Sequence, residues 1–405
     1  MTSYLAVFAV AAVVTFLTTP LVRRFVVRAG AIYKPNDRTV HKVPLPTMGG
    51  IAMYLGLVAA LIASQVLPFF RQLNLVNNSA AVLVTCTLML GLGVIDDARG
   101  IQPLTKLVAQ IFVAGVLVLL GVVLSYFWLP GFGLFILSGD LPVILTIVWV
   151  VAVANAVNLA DGLDGLAAGM VGIAAAVYFV FSVLSPGALG ISSQPALLAA
   201  ITCGVCVGFL PWNFHPAKIF MGDAGSMLLG ILLAITTIEG VHRTITAPGG
   251  GDFAAVAGTI AVPILVLLIP FLDVASAIVR RTRRGQGIGH ADKEHLHHHL
   301  MDIGHGHTQS VLLMYLWSAL LSGAALAVGR IDNRPLVALI LLGGAVLFLV
   351  TALPRLNRRR TGNGHRNGHH PERVDNVAIQ TVEDRAHQPI RPLETGEAIA
   401  VRLYL

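Results

Sequence analysis

The chain has 405 residues, 56% of them hydrophobic and only 12% charged, and its mean hydropathy is +0.80. Soluble globular chains carry about 25% charged residues, so a soluble fold is excluded and the expectation is an all-α integral membrane protein, a polytopic helical bundle. The net charge of +7 would suit a nucleic-acid binder, but Lys and Arg flank the apolar runs, where they act as topology signals, and no nucleic acid is expected as a partner.

A transmembrane helix needs roughly 20 apolar residues. Charge-free windows of that kind predict about 11 spans, near residues 4–22, 48–68, 79–95, 105–124, 141–159, 165–184, 194–211, 225–240, 254–279, 309–328 and 335–353. The run 165–217 holds no Asp, Glu, Lys or Arg and is divided at Ser185-Pro186-Gly187, a turn signal. Residues 125–140 read either as a short external hairpin or as an interfacial segment. Cys86, Cys203 and Cys206 all lie within apolar runs, so no disulfide framework is expected, and the Cys203-x-x-Cys206 pair reads as small apolar packing. Residues 1–353 form the transmembrane domain. Beyond Pro354 a polar, Gly- and Asn-rich segment to residue 405 cannot bury a core and is expected to be a disordered cytoplasmic tail.

Lys and Arg fall 18 on one set of connections and 4 on the other. The richer side is therefore expected to be cytoplasmic, with the N-terminus outside, the C-terminus inside, and the first helix retained. Five stretches with unusual polar content map to that side: HKVPLPTMGG (41–50), IDDARG (95–100), NAVNLADGLDG (155–165), NFHPAKIFMGDAGS (213–226) and HADKEHLHHHL (290–300). Each has a plain account when taken singly. Asp96-Asp97 can be a polar turn; Asp161 and Asp164 can share a helix face or form a tight turn with Gly162 and Gly165; Gly222 to Ser226 can be a helix cap; Phe220 can be an interfacial aromatic. The histidines at 295 and 297–299 can be a solvated loop or a zinc cluster, though no Cys or His-Glu-x-x-His pattern supports zinc. Together they place five aspartates on one membrane face, which requires a positive compensator. Hard oxygen ligands point to Mg²⁺ or Mn²⁺, and such an ion implies a phosphate substrate, with Lys42 and the 290–299 histidines as further partners.

In this order, PTMGG, Asp96-Asp97, NAVNLADGLDGLA, NFHPAKIFMGDAGS and a His-rich last loop resemble the polyprenyl-phosphate N-acetylhexosamine-1-phosphate transferases, from about residue 20 to 353. The family holds UDP-GlcNAc transferases and phospho-MurNAc-pentapeptide translocases. The resemblance implies a membrane enzyme of ten or eleven helices, with its active site at the cytoplasmic face, that moves a sugar 1-phosphate from a UDP-sugar to a lipid phosphate and releases UMP. Carried over by motif, Asp223 is the main Mg²⁺ ligand with Asn158 close to the metal. Asp96 deprotonates the lipid phosphate, with Asp97 as its partner. Asp161, Gly162, Asp164, Asn213 and Phe220 shape the uridine and pyrophosphate pocket, and Lys42, His297 and His298 meet the phosphates. His295-Leu296-His297-His298-His299 combines features of both branches, which leaves His295 and His299 without a role.

The physical chemistry agrees with that mechanism, because two anionic phosphates must approach each other at a membrane surface. The expected reaction is GlcNAc-1-phosphate transfer from UDP-GlcNAc to undecaprenyl or decaprenyl phosphate in the plasma membrane, starting a cell-envelope polysaccharide or its linkage unit. Phospho-MurNAc-pentapeptide transfer is the alternative within the family. A secondary transporter is the alternative outside it, but transporters keep their acids near the midplane rather than at span ends. Oligomeric state stays open, a homodimer included.

Overall fold

Inside lipid every backbone N–H and C=O must be satisfied within the segment, so long apolar runs fold as helices. The computed structural model describes residues 1–33, 45–71, 79–129, 133–184, 194–246 and 306–328, with isolated helical pieces at 260, 264–265, 342–344 and 347. In chain order these form α1 (Thr2–Ala29), β1 (Ile32–Tyr33), β2 (Leu45–Pro46), α2 (Gly50–Val66), α3 (Pro68–Arg71), α4 (Ser79–Arg99), α5 (Pro103–Leu119), β3 (Tyr126–Leu129), β4 (Gly133–Ile136), α6 (Leu141–Ala160), α7 (Leu166–Leu184), α8 (Gln194–Asn213), α9 (Gly222–Thr246) and α10 (His307–Val328). All lie within a unit that spans Met1–Arg355.

Nine predicted spans are helices, and α1, α4, α6, α7, α8 and α9 are long and apolar enough to cross a membrane. The chain is thus an all-α polytopic membrane protein. The predicted spans at 254–279 and 335–353 fall almost wholly outside the described residues, as do the turn at 185–187 and the tail. Proline opens α5 and sits in the first turn of α6, where its missing N–H costs nothing. Within residues 125–140, β3 pairs antiparallel with β4, Tyr126 opposite Ile136 and Leu129 opposite Gly133, which is the hairpin reading of this segment. The helix ends differ from the apolar windows where chemistry begins. Helix α4 runs on to Arg99, so Asp96 and Asp97 lie in its last turns, and α9 starts at Gly222 rather than 225.

Helix α9 is the centre of the described bundle, 94% buried over its most apolar window, with α2, α4, α6, α7 and α8 around it. Membrane helices gain little from the hydrophobic effect and associate through close backbone approach at small residues. A Cβ on Gly93 would lie 2.4 Å from the Cα of Ala224, and one on Gly50 2.2 Å from the nitrogen of Gly225. Both contacts lie at the N-terminal end of α9, so α2 and α4 are locked to the segment that carries Asp223.

Candidate active site

The site is assembled around the first turn of α9. The segment before it is clamped by the PTMGG stretch: Phe220 N–H donates to the Pro46 carbonyl at 2.9 Å, Gly49 N–H to the Phe220 carbonyl at 2.9 Å, and Gly50 N–H to the Met221 carbonyl at 3.0 Å. The exposed amides at the start of α9 are then capped from another helix. Asp223 N–H donates to Asp97 Oδ1 at 2.9 Å, Ala224 N–H donates to Asp97 Oδ2 at 3.1 Å, and the Thr47 hydroxyl donates to Asp97 Oδ1 at 3.4 Å. A carboxylate here satisfies two orphan donors and complements the positive end of the helix dipole. Gly222 makes this possible: its φ is +71°, and a Cβ there would lie 2.3 Å from Asp97 Oδ2.

Asp223, thus fixed, meets side chains from three other helices. Lys106, from the first turn of α5, places its ammonium 2.8 Å from Asp96 Oδ2 and 3.1 Å from Asp223 Oδ1. Asp96 is held in turn by the Ile101 N–H, which donates to its Oδ1 at 2.7 Å. Asn158 on α6 donates through Nδ2 to the same Asp223 oxygen and to Ser226 Oγ, the latter at 2.9 Å. The Asp96 side chain is only 8% exposed, whereas that of Asp223 is 30% exposed and opens outward. The donor set is hard oxygen: two carboxylates, a hydroxyl and a carboxamide whose oxygen faces the cluster after a half-turn of the side chain. That set fits a Mg²⁺-type cation.

The NLADGLDG stretch turns the chain from α6 into α7, so Asp161 and Asp164 lie in a tight turn rather than on one helix face. Burial raises the Asp161 carboxyl to a pKa of about 8, with the charges of Asp223, Asp97 and Asp164 adding to the shift. Crowding of this kind disfavours the charged form and is relieved by a proton or by a nearby positive charge. Asp164 Oδ2 accepts the Ala217 N–H at 3.1 Å and pairs with His215 Nδ1 at 2.8 Å. Asn213, 1% exposed, accepts the Gly165 N–H at 3.1 Å and donates to the Ile219 carbonyl at 3.1 Å. The His215 ring stacks on that of His307 from α10, with centroids 4.3 Å apart and planes 24° apart. Asp164, His215 and His307 bring candidate ligand atoms within 4.8 Å of one another and could hold a metal ion by distance. Stacked rings point their in-plane lone pairs nearly parallel, however, so one imidazole would have to turn first.

The structure thus gathers Asp96, Asp97, Asn158, Asp161, Gly162, Asp164, Asn213, Phe220 and Asp223 around one end of α9. Lys42, His295 and His297 to His299 lie outside the described residues. Sequence reasoning missed Lys106, which had counted only as a topology charge, and also Thr47, Ser226, His215 and His307. The available signal for Lys106 was its place in the first turn of an apolar helix, ten residues after an acidic one.

The family model for glycosyl transferase family 4 matches residues 79–241. Over 356 residues, 86% of this chain and 88% of the relative, the chain is 40% identical to the decaprenyl-phosphate N-acetylglucosaminephosphotransferase of Mycobacterium tuberculosis strain H37Rv. The chain belongs to glycosyl transferase family 4. It is also 35% identical over 319 residues to a probable undecaprenyl-phosphate N-acetylglucosaminyl 1-phosphate transferase of Bacillus subtilis, covering 79% of this chain and 83% of the relative. Identity falls to 30% over 358 residues, 78% of this chain and 94% of the relative, for a phospho-N-acetylmuramoyl-pentapeptide-transferase of Mycolicibacterium smegmatis. The family match runs from the start of α4 into α9 and so contains Asp96, Asp97, Lys106, Asn158, Asp161, Asp164, Asn213 and Asp223.

Proposed function

We propose that this family 4 member is a plasma-membrane enzyme that transfers GlcNAc 1-phosphate from UDP-GlcNAc to a polyprenyl phosphate and releases UMP, starting a cell-envelope polysaccharide or its linkage unit. The observation that carries the reading is the convergence of Asp96, Lys106, Asn158 and Asp223 from four helices onto one point. The higher identity to GlcNAc-phosphotransferases than to pentapeptide transferases supports the sugar. In the reaction an oxygen of the lipid phosphate attacks the β-phosphorus of UDP-GlcNAc. The bond from that phosphorus to the bridging oxygen breaks, and UMP leaves with the oxygen.

Mg²⁺ or Mn²⁺ held by Asp223 and Asn158 would neutralise the pyrophosphate charge. Lys106 adds a second positive charge at the meeting point of the two anions. Asp96 accepts the proton of the lipid phosphate, and Asp97 keeps Asp223 in place from behind. Asp161, Gly162 and Phe220 face the uridine and pyrophosphate, while Asp164 and Asn213, both buried and engaged by the protein itself, shape that pocket indirectly. Lys42, His297 and His298 are assigned to the phosphates. The 18-to-4 distribution of Lys and Arg supports a cytoplasmic site, an outside N-terminus and an inside C-terminus; labelling of a cysteine placed at 285–293 by an impermeant reagent from outside would reverse that orientation.

The test is transfer of label from UDP-[¹⁴C]GlcNAc to added decaprenyl phosphate by the purified protein. An organic-extractable product, stoichiometric UMP and loss of activity with EDTA are expected. Label entering lipid from UDP-MurNAc-pentapeptide and none from UDP-GlcNAc would overturn the assignment.

A further inference from the structure

The turn at 161–165 carries three of the proposed donor-pocket residues, yet two glycines make it intrinsically loose, and Gly165 has φ +77°. Its geometry is imposed through the backbone N–H and carbonyl of Gly165, on the two successive peptide groups. The N–H is held by Asn213 Oδ1 at 3.1 Å. The carbonyl accepts the Gly169 N–H at 2.9 Å, within the start of α7. It also accepts the hydroxyl of Tyr315 at 2.5 Å, from α10, 150 residues further along the chain.

The surroundings are shaped for this contact. A Cβ on Gly169 would lie 2.0 Å from the Tyr315 ring, so only glycine leaves room for the ring to lie there. One helical stripe of α10, His307, Val311 and Tyr315 at four-residue intervals, faces this part of the molecule. Val311 is fully buried, and His307 stacks on His215, whose Nδ1 pairs with Asp164. Helix α10 therefore grips the C-terminal end of the turn twice, through His215 at Asp164 and through Tyr315 at Gly165. The same helix begins eight residues after His299 in sequence.

From these contacts we infer that Tyr315 is a positioning residue of the nucleotide-sugar pocket: its hydroxyl fixes the Gly165 carbonyl and thereby the Asp161–Asp164 turn, tying that pocket to the helix that follows the histidines. The inference rests on the proposed reaction and adds a residue that none of the sequence motifs contains. Tyr315 does not touch the reacting atoms in this account. Its effect is on donor affinity through the turn.

Tyr315→Phe removes only the hydroxyl and keeps the ring against Gly169, so the protein should fold. The KM for UDP-GlcNAc and the calorimetric Kd for UDP should both rise about fivefold, the equivalent of one ordinary hydrogen bond of about 1 kcal/mol. Turnover at saturating donor and the KM for decaprenyl phosphate should stay within twofold of the parent. A lowered melting temperature with unchanged donor KM and UDP Kd would show a purely structural contact and overturn the inference, as would a fall in turnover with unchanged donor KM. If the parent protein itself transfers nothing from UDP-GlcNAc, the proposed reaction fails instead. The UDP titration of the two proteins then still decides the fate of Tyr315.

Discussion

Asp97→Asn separates holding the site from taking part in the chemistry. Both oxygens of Asp97 are used, one on the Asp223 N–H at 2.9 Å and one on the Ala224 N–H at 3.1 Å. An asparagine keeps one acceptor and turns an NH₂ group toward the other amide, so one bond is lost and a donor faces a donor. A hydrogen bond to a charged group contributes about 1.5–3 kcal/mol, and a carboxylate at a helix N-terminus about 0.3–1 kcal/mol more. Relief of repulsion from Asp223 offsets part of this, leaving a net loss of about 2 kcal/mol. That raises the open population of the first turn of α9 about 30-fold. Hydrogen–deuterium exchange of a peptide covering 221–228 should accelerate by about that factor, while exchange in α1 stays as in the parent. Turnover should fall because Asp223 is no longer held, with no change in the shape of its pH profile. Parental exchange at 221–228 together with abolished turnover would mean that Asp97 acts on the reacting groups directly, and the capping argument would be wrong.

Asp223→Asn should lower turnover by orders of magnitude and raise the Mg²⁺ concentration needed for half of the remaining activity; an unchanged Mg²⁺ requirement would remove Asp223 from the metal site. Lys106→Gln should abolish most turnover yet tighten Mn²⁺ binding, read by electron paramagnetic resonance, by at least about tenfold. Two unit charges about 4 Å apart interact by about 4 kcal/mol at an effective dielectric constant near 20, and a third of that is tenfold; weaker Mn²⁺ binding would refute the competition. Truncation after Arg360 should leave a normally extracted, active enzyme, because residues 361–405 are polar and lie outside the family resemblance; loss of activity would assign the tail a role.

The spans were legible because lipid imposes one solution, a helix, on any sufficiently long apolar run. The acids were legible because carboxylates at span ends are costly and therefore informative. What was not legible is division of labour among them. Asp96 and Asp97 are adjacent in sequence, yet a helix sends neighbours about 100° apart, so one faces Lys106 and the other the amides of α9. Lys106 was invisible as a site residue because a lysine beside a span already has an explanation in topology. His307 and Tyr315 were invisible for another reason: their partners lie 92 and 150 residues away, and no local pattern in an apolar helix marks a residue that docks on a distant turn.

The membrane interior beneath the site repeats its geometry one turn down. Gln110 lies four residues after Lys106 on α5, Asn155 three before Asn158 on α6, and Met227 four after Asp223 on α9, so each sits on the same helix face as its partner in the site. These three also meet: Asn155 Nδ2 donates to Gln110 Oε1 at 2.6 Å and to the Val151 carbonyl at 2.8 Å, and Gln110 Nε2 donates to Met227 Sδ at 3.3 Å. Gln110 is fully buried. A polar layer in this place sets the register of α5 against α6 and α9, and hence where the Lys106 ammonium arrives. Gln110→Leu replaces it with a side chain of similar volume and removes both links. Interhelical hydrogen bonds in membranes average about 0.6 kcal/mol and reach about 1.7, so the melting temperature in detergent should fall only slightly. Register matters more than stability here, because a displacement of about 1 Å in a charged site can cost about a hundredfold in rate. Turnover should therefore fall by at least tenfold, with a higher Mg²⁺ requirement, in a protein that still elutes as a folded species. Parental turnover and Mg²⁺ requirement in Gln110→Leu would show that the layer only glues helices together and that the register of α5 is set by the Lys106 contacts themselves.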